Sequence, residues 1–409
     1  MEAPRRATPP IVFLILLTPF GVSGGYVGVT LAFLLAKAGL ATAAVAAIVS
    51  FTVWPQTWKV LWAPFLDTAL NAKAWYGVGV IVTGLSILAL SAVPASVKAV
   101  PLLTLLVVLS SLASTLVSIS SELFMAHGIE DARKGAVSGW SQAGNLGGAG
   151  LGGGAGLYLS QHVNAPWVAG AALAALCLVC GAGLWFVDEP ARAARLPRYR
   201  DALVDVIRDV WAVMRSRPGF LVLVLMVLPI GSGGAQGVWS AIASEWRTGP
   251  DTIALVSGVL GGLASLVGAL AGGYACDRMD RRTAYCVFGA ALAGVAVAMA
   301  LLPRTPMEFI LCTLAYALVI GACYAAYSAT VLEAIGRGAA GTKYNLLASV
   351  SNIPIAVMTA TDGVLHDRYG SSGMLFGEAG VAIMAIAGFA ALARLTRPAR
   401  ATASSPARP

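Results

Sequence analysis

The chain is short of charge. Only 11% of its 409 residues are Asp, Glu, Lys or Arg, against about 25% in ordinary soluble domains. Too few polar side chains are present to cover a water-soluble surface, which excludes a cytosolic enzyme. Histidine is scarcer still: His127, His162 and His366 are scattered and make no ligand set. The six cysteines (Cys177, Cys180, Cys276, Cys286, Cys312, Cys323) lie mostly in or beside apolar runs, unlike those of a secreted disulfide scaffold. Cys177 and Cys180 form a CxxC with no second pair and no nearby His, so they read as small hydrophobes and not as metal ligands. No GxxxxGKS/T segment occurs, which excludes an ATP-driven pump. No metal or cofactor is expected.

What is abundant is apolar. Hydrophobic residues make up 58% of the chain and the mean hydropathy is +0.80. An all-α integral membrane protein follows, because each bilayer crossing by a helix needs about 20 apolar residues. Twelve such runs can be read: Pro10–Ala36, Thr42–Leu66, Ala74–Val93, Val100–Met125, Ala136–Ser160, Pro166–Val187, Phe220–Ser244, Thr252–Cys276, Thr283–Leu302, Met307–Leu332, Tyr344–Thr361 and Ser372–Leu395. Arg5 and Arg6 before the first run suggest a signal peptide, but that run is too long and has no clear cleavage site, so it reads as a retained span. The net charge of +8 reflects basic loops more than a nucleic-acid partner. With the N-terminus inside, 22 of the 27 Lys and Arg fall on the cytoplasmic side. The positive-inside rule then puts both termini in the cytoplasm of a multi-pass inner (plasma) membrane protein.

The chain divides into residues 1–187, a six-helix bundle; 188–219, a cytoplasmic linker; 220–395, a second six-helix bundle; and 396–409, a disordered cytoplasmic tail. In the linker Val204, Ile207, Trp211 and Met214 recur at helical spacing, with Asp201, Asp205 and Arg208 on other faces. That pattern describes an amphipathic helix on the membrane surface. The halves repeat. Ser23-Gly24-Gly25-Tyr26-Val27-Gly28-Val29 returns as Ser232-Gly233-Gly234-Ala235-Gln236-Gly237-Val238, 209 residues later, and Asp67 returns as Asp277, 210 residues later. Six spans is an even number, so the repeats are parallel, related by an axis along the membrane normal with the solute between them. Glycines crowd the fifth span (Gly147, Gly148, Gly150, Gly152, Gly153, Gly154, Gly156) and stripe the eighth (Gly258, Gly262, Gly268, Gly272). Close helix packing accounts for most of them; smooth faces that slide during alternating access are the functional addition.

Between the eighth and ninth spans stands Gly273-Tyr-Ala-Cys-Asp277-Arg278-Met-Asp280-Arg281-Arg282. It resembles the GxxxDRxGRR loop of the major facilitator superfamily, departing at Asp280, where the family has Gly. The resemblance implies two pseudo-symmetric six-helix bundles and a conformational latch: Asp277 would accept from the start of the fifth span near Gly135, held by Arg278, Arg281 and Arg282. Asp67 and Lys73 form a degraded first-half counterpart. Pro55-Gln56-Thr57-Trp58-Lys59-Val60-Leu61-Trp62-Ala63-Pro64-Phe65-Leu66-Asp67 is similar to the PYxxKFLWAPLxD stretch of AmpG-type permeases, and Gly341–Ser349 to their ATxxALLSS segment. That branch carries anhydro-muropeptides, acetyl-CoA or, in some relatives, siderophores, generally driven by protons. Its fourth span tends to carry two acids four apart; here Ser118 holds the first position and Glu122 the second.

Acids inside spans are rare and mark proton pathways. Glu122 and Glu378 are the candidates, Glu122 with Lys59 as a possible ion-pair partner. Tyr26, Lys59, Gln142, Asn145, Gln236, Tyr324, Tyr327 and Asn352 are the candidate cavity lining, since buried amides, amines and phenols orient a polar solute. Trp54, Trp58 and Trp62 make an aromatic stripe that reads first as a packing face. The expectation is a monomeric secondary transporter whose partners are a polar organic solute, protons and the bilayer, with no nucleic acid. A permease for siderophores or acyl-CoA, or a non-transporting membrane sensor, is the alternative.

Overall fold

A computed structural model describes residues 8–61, 70–128, 134–189, 204, 207–208, 211–212, 214–276, 278–335 and 340–396. Among these, eight helices are long and apolar enough to cross a bilayer. The last, Leu346–Leu395, is two spans, because Gly370 breaks the helix at φ 69° and ψ −178°. Three further spans are broken or less apolar. The fifth, Lys134–His162, is diluted by glycine. The second and seventh are not single rods.

Both interruptions differ from the continuous helices expected. The second span runs as Thr42–Ser50, turns at Phe51–Val53 and resumes as Trp54–Thr57, with Trp58 again off helical geometry. The kink ends any regular Trp54–Trp58 stripe; both rings are exposed, and Trp62 lies outside the described residues. The seventh span starts as Arg217–Val227 and then unwinds. Pro229 cannot donate a helical bond, and Gly233 takes φ 64°, a left-handed conformation that favours glycine. Short turns Gly234–Gly237, Trp239–Ile242 and Ala243–Trp246 complete the crossing. Ser23 and its neighbours, by contrast, stay helical through Ile11–Gly25 and a π-turn over Tyr26–Leu31.

The two halves nonetheless pack alike. The third span, Ala72–Ala92, lies against the fourth (Val100–Gly128) and the sixth (Trp167–Cys180), as the ninth (Arg281–Leu301) lies against the tenth (Pro306–Ile335) and the twelfth. Asn71 caps the third span by accepting from Ala74 N at 2.8 Å. Asp280, 209 residues on, caps the ninth by accepting from Thr283 N at 2.9 Å and Thr283 Oγ1 at 2.8 Å. The departure from glycine at Asp280 therefore serves the following helix. Asp280→Ala should lower thermal stability by about 1 kcal/mol, read as a shift in the unfolding midpoint, with Asp280→Asn close to wild type.

Glycine sets the closest approaches. Cβ atoms at Gly144, Gly148 and Gly152 would run into the backbone carbonyls of Leu14, Thr18 and Val22, and those at Gly21 and Gly25 into Asn145 and Ala149. Spans one and five are thus joined backbone to backbone within one half. Gly268, Gly272 and Gly321 do the same for spans eight and ten. Few glycines face across the halves: Gly154 against Gly258, Gly150 near Gly262, Gly237 near Val49, and Gly363 against Thr42 and Ala46. Contacts between the halves therefore use only a small subset of the small-residue faces. Large exposed side chains such as Leu85, Leu105, Leu263 and Leu311 clothe the exterior, as lipid requires. Val204, Ile207, Trp211 and Met214 are helical and exposed, the disposition of a surface-lying apolar stripe.

Candidate functional site

Two buried polar clusters stand out, one in each half. In the first, the break at Trp58 turns Lys59 inward until it is only 4% exposed. Its Nζ donates to Glu122 Oε1 at 2.8 Å and to Ser118 Oγ at 3.3 Å, while Ser118 Oγ donates to the same carboxylate oxygen at 2.9 Å. Ser118 and Glu122 are one helical turn apart on the fourth span, which places both on the face toward Lys59. The ammonium offsets the charge that Glu122 would otherwise bury alone. Glu122 Oε2 and Gln56 Nε2 remain buried without a hydrogen-bond partner.

The second cluster gathers on the unwound turn of the seventh span. Glu378, on the twelfth, accepts from Tyr316 Oη at 2.5 Å and from Ala235 N at 3.3 Å, both on Oε1. Asp362, on the eleventh, is fully buried, and its Oδ2 lies where a Cβ on Gly234 would stand. Both carboxylates therefore meet the Gly234–Ala235 backbone. A side chain at Gly234 would close that space. Both Asp362 oxygens and Glu378 Oε2 lack a hydrogen-bond partner. Buried polar groups are almost always satisfied, so three such carboxylate oxygens in one place are chemically able to take up a proton or accept from a small polar group. A small cavity, the size of a single water, opens beside Glu378 and is lined by Pro229, Ile230, Ser232, Leu292 and Ala296. Trp239 stacks edge-on against Tyr316, with centroids 5.4 Å apart, and walls the cluster.

The other candidates fall in several places. Gln236 is exposed on the same unwound turn, where the seventh span meets spans one, two and eleven. Gln142 and Asn145 bond to each other at 3.3 Å on the fifth span. Tyr324 and Tyr327 are half-buried on the tenth. Asn352 donates back to Ala348 O of its own helix at 2.8 Å. Tyr26, at 1% exposure, is sealed in the core of the first half. Of the residues expected to form the latch, Asp67 and Asp277 lie outside the described residues. Of their neighbours, Arg278 stacks on the Tyr274 ring at 3.4 Å and Arg281 Nη1 donates to Ala329 O at 3.5 Å. Arg282 is half-buried and Gly273 has open space around it. Lys73 N donates to Glu189 at 3.2 Å.

Sequence reasoning missed Asp362 and Tyr316. Ending the eleventh span at Thr361 left the acid one residue outside it, although Gly363-Val364-Leu365 continues the apolar run. That continuation was the available signal.

The family model described as Major Facilitator Superfamily matches residues 9–359. Among solved structures, a D-xylose-proton symporter superposes with a TM-score of 0.69 at 13% identity, covering 93% of this chain and 96% of that one. A bacterial homologue of the human lysosomal transporter Spinster, inward-facing and unoccupied, gives 0.71 at 13% identity, covering 94% and 96%. A nucleoside transporter gives 0.65 at 12%, covering 94% and 98%. Identities this low establish a common fold and nothing finer. No curated protein matches the chain.

Proposed function

The chain belongs to the Major Facilitator Superfamily, a multi-pass membrane transporter and not an enzyme, and from that premise we propose that it imports a polar organic solute by proton-coupled alternating access. The observation that carries this reading is the pair of buried acids Asp362 and Glu378 packed against the unwound turn of the seventh span, with three of their four carboxylate oxygens lacking a hydrogen-bond partner. A coupling acid must change its access to water as the halves rock, and a carboxylate seated on an unwound turn at the meeting of the halves is placed to do so. In the proposed orientation both termini are cytoplasmic and the membrane is the inner one. The solute is proposed to be muropeptide-like, on the likeness of the Pro55–Asp67 stretch to AmpG-type permeases. Gln236, Tyr324, Tyr327, Asn352, Gln142 and Asn145 are its proposed contacts, and Asp67, Lys73, Gly273, Asp277, Arg278, Arg281 and Arg282 the proposed latch of the near end. The carrier acts as a monomer.

A second reading places coupling at Glu122, whose Oε2 has no partner while Lys59 holds Oε1. The test of transport itself is a thermal-shift screen of the purified protein against muropeptides, siderophores and acyl-CoA compounds, followed by uptake of the stabilising compound into proteoliposomes under an imposed pH gradient. Accumulation above the outside concentration, abolished by a protonophore, is the expected result. Equilibration without accumulation would leave a facilitator and remove the proton.

A further inference from the structure

At the end of the bundle away from the termini, a chain of charged side chains crosses between the halves. Arg304 Nη1 donates to Glu245 Oε2 at 2.8 Å and Arg304 Nη2 to Ser372 Oγ at 3.3 Å, while Ser371 Oγ donates to Glu245 Oε2 at 2.7 Å. His366 stands between two acids: its Nε2 is 2.5 Å from Glu245 Oε1 and its Nδ1 is 3.6 Å from Asp367 Oδ1. Asp367 then reaches the other half. Its Oδ1 accepts from Thr42 N at 3.0 Å and its Oδ2 from Ala43 N at 2.9 Å. Those N–H groups open the helix Thr42–Ser50, whose own N-cap residue, Ala41, has no side chain able to accept. A helix start with free N–H groups and a positive dipole end favours a carboxylate. Here the carboxylate comes from 325 residues away, so the cap exists only while the halves touch.

A second crossing mirrors the first. His162 Nε2, at the end of the fifth span, is 3.6 Å from Asp251 Oδ1, at the start of the eighth. Asp251 lies 209 residues after Thr42, the offset that relates Ser232 to Ser23. Each crossing thus joins the end of one span to the start of another in the opposite half, and each contains a histidine.

We propose that the Asp367 crossing forms a pH-responsive latch that holds the far end of the carrier shut, with Asp367 as the bolt and His366 as the group that keeps it in place, the His162–Asp251 contact lying beside it as a second tie between the halves. With His366 protonated, His366 and Arg304 balance Glu245 and Asp367. With His366 neutral, two carboxylates face one guanidinium and the clamp on Asp367 is lost. The other cations near this rim are turned elsewhere: Lys37 is engaged with Gln161 at 3.1 Å, and Arg247 and Arg368 are exposed, the one after Trp246 and the other beside Asp367 on the same helix. Burial alone would lower the His366 imidazole, but the carboxylates of Glu245 and Asp367 outweigh it and hold the proton to a higher pH than the ordinary ~6.5. The latch is therefore shut at mildly acid pH on that face, loosens as pH rises through the imidazole range, and fails again where the carboxylates themselves protonate. The proposal requires only that the halves part at this end, and rests on neither the solute nor the coupling proton.

Spin-label distances in the reconstituted full chain test it without a solute. Labels at Ala38→Cys and Tyr369→Cys report the gap between the halves, and the unsubstituted chain reports background from native cysteines. In mildly acid buffer the short distance should dominate, with a longer one gaining as pH rises to about 8. Asp367→Ala should shift the closed-to-open ratio roughly fivefold or more toward open at every pH, and His366→Gln should flatten the pH profile. Should Asp367→Ala fail to fold, Thr42→Pro removes one of the two donors at a first helical position that tolerates proline, and should open the gap in the same direction. A wild-type ratio in both Asp367→Ala and Thr42→Pro, or a wild-type pH profile in His366→Gln, overturns the latch even if gradient-driven uptake is found.

Discussion

Gly148→Leu should leave no folded carrier to assay. A Cβ at this position would meet the carbonyl oxygen of Thr18, and the atoms behind it are also backbone. A clash with a flexible side chain can be relieved by a rotamer change, but a clash with a neighbouring helix backbone cannot. The first and fifth spans would have to separate, and the same movement would lift Gly144 from Leu14, Gly152 from Val22, and Gly21 and Gly25 from Asn145 and Ala149. Overpacking a single site costs about 1–3 kcal/mol and occasionally more; losing a whole row of dispersion contacts compounds it, against a total stability of roughly 5–15 kcal/mol. The measurement is the yield of monodisperse protein in detergent and its unfolding temperature. Gly147→Leu is the control, since nothing lies within 4 Å of its added Cβ; it should express and unfold like wild type. A Gly148→Leu protein with a wild-type melting curve would mean that the two helices are not in backbone contact.

These glycines also show how far the sequence could be read. Their enrichment in the fifth and eighth spans is plain in the linear chain, but which of them face a partner within a half and which face the other half is not. Gly147 and Gly148 are adjacent in sequence and opposite in consequence, because one faces outward and the other faces Thr18. The twelve crossings and the duplication were legible from apolar run lengths and from the 209-residue offset. Breaks inside spans were less so. Gly233 and Gly234 were read as one side of a repeat, whereas in the folded chain they lie where the seventh span unwinds while the corresponding Ser23 segment stays helical.

Polar contacts divided in the same way. Ser118 and Glu122 sit one helical turn apart, and Lys59 belongs to a recognisable motif, so their neighbourhood could be anticipated from local spacing. The cap that Asp367 places on Thr42 and Ala43 could not. Ala41 before the helix is a visible lack, but nothing local says which distant carboxylate fills it. Asp362 was hidden for a simpler reason: a span boundary drawn at Thr361 turned an intramembrane acid into a rim residue. A capping pair such as Asn71 and Asp280 would have been the firmer mark of duplication, because the same residue class does the same job at both positions.

Glu378→Gln and Asp362→Asn should each abolish gradient-driven accumulation while leaving the protein folded. A proton moving down one pH unit releases about 1.4 kcal/mol, which supports roughly a tenfold concentration of a neutral solute carried with it. With the proton site removed, the internal concentration should stop at the external one, while exchange of labelled for unlabelled solute continues. Folding should survive because the amide keeps the shape of the acid and Glu378 and Asp362 share one enclosed space with three unpaired oxygens; removing one ionisable group from such a space relieves the need to neutralise it. Glu122→Gln makes the opposite prediction. It would strand Lys59, 4% exposed, without its carboxylate, at a cost of about 3–5 kcal/mol, so the loss should fall on yield and melting temperature. The double variant Lys59→Met with Glu122→Gln removes both charges and should recover much of that stability. If the double variant recovers its stability yet no longer accumulates solute, and Glu378→Gln accumulates normally, the coupling acid is Glu122 and the assignment to the second half is wrong. If Glu378→Gln stops at equilibration while the double variant still concentrates solute under the gradient, the Lys59–Glu122 pair is a structural tie between the second and fourth spans, and the proton travels with the acids on the unwound turn.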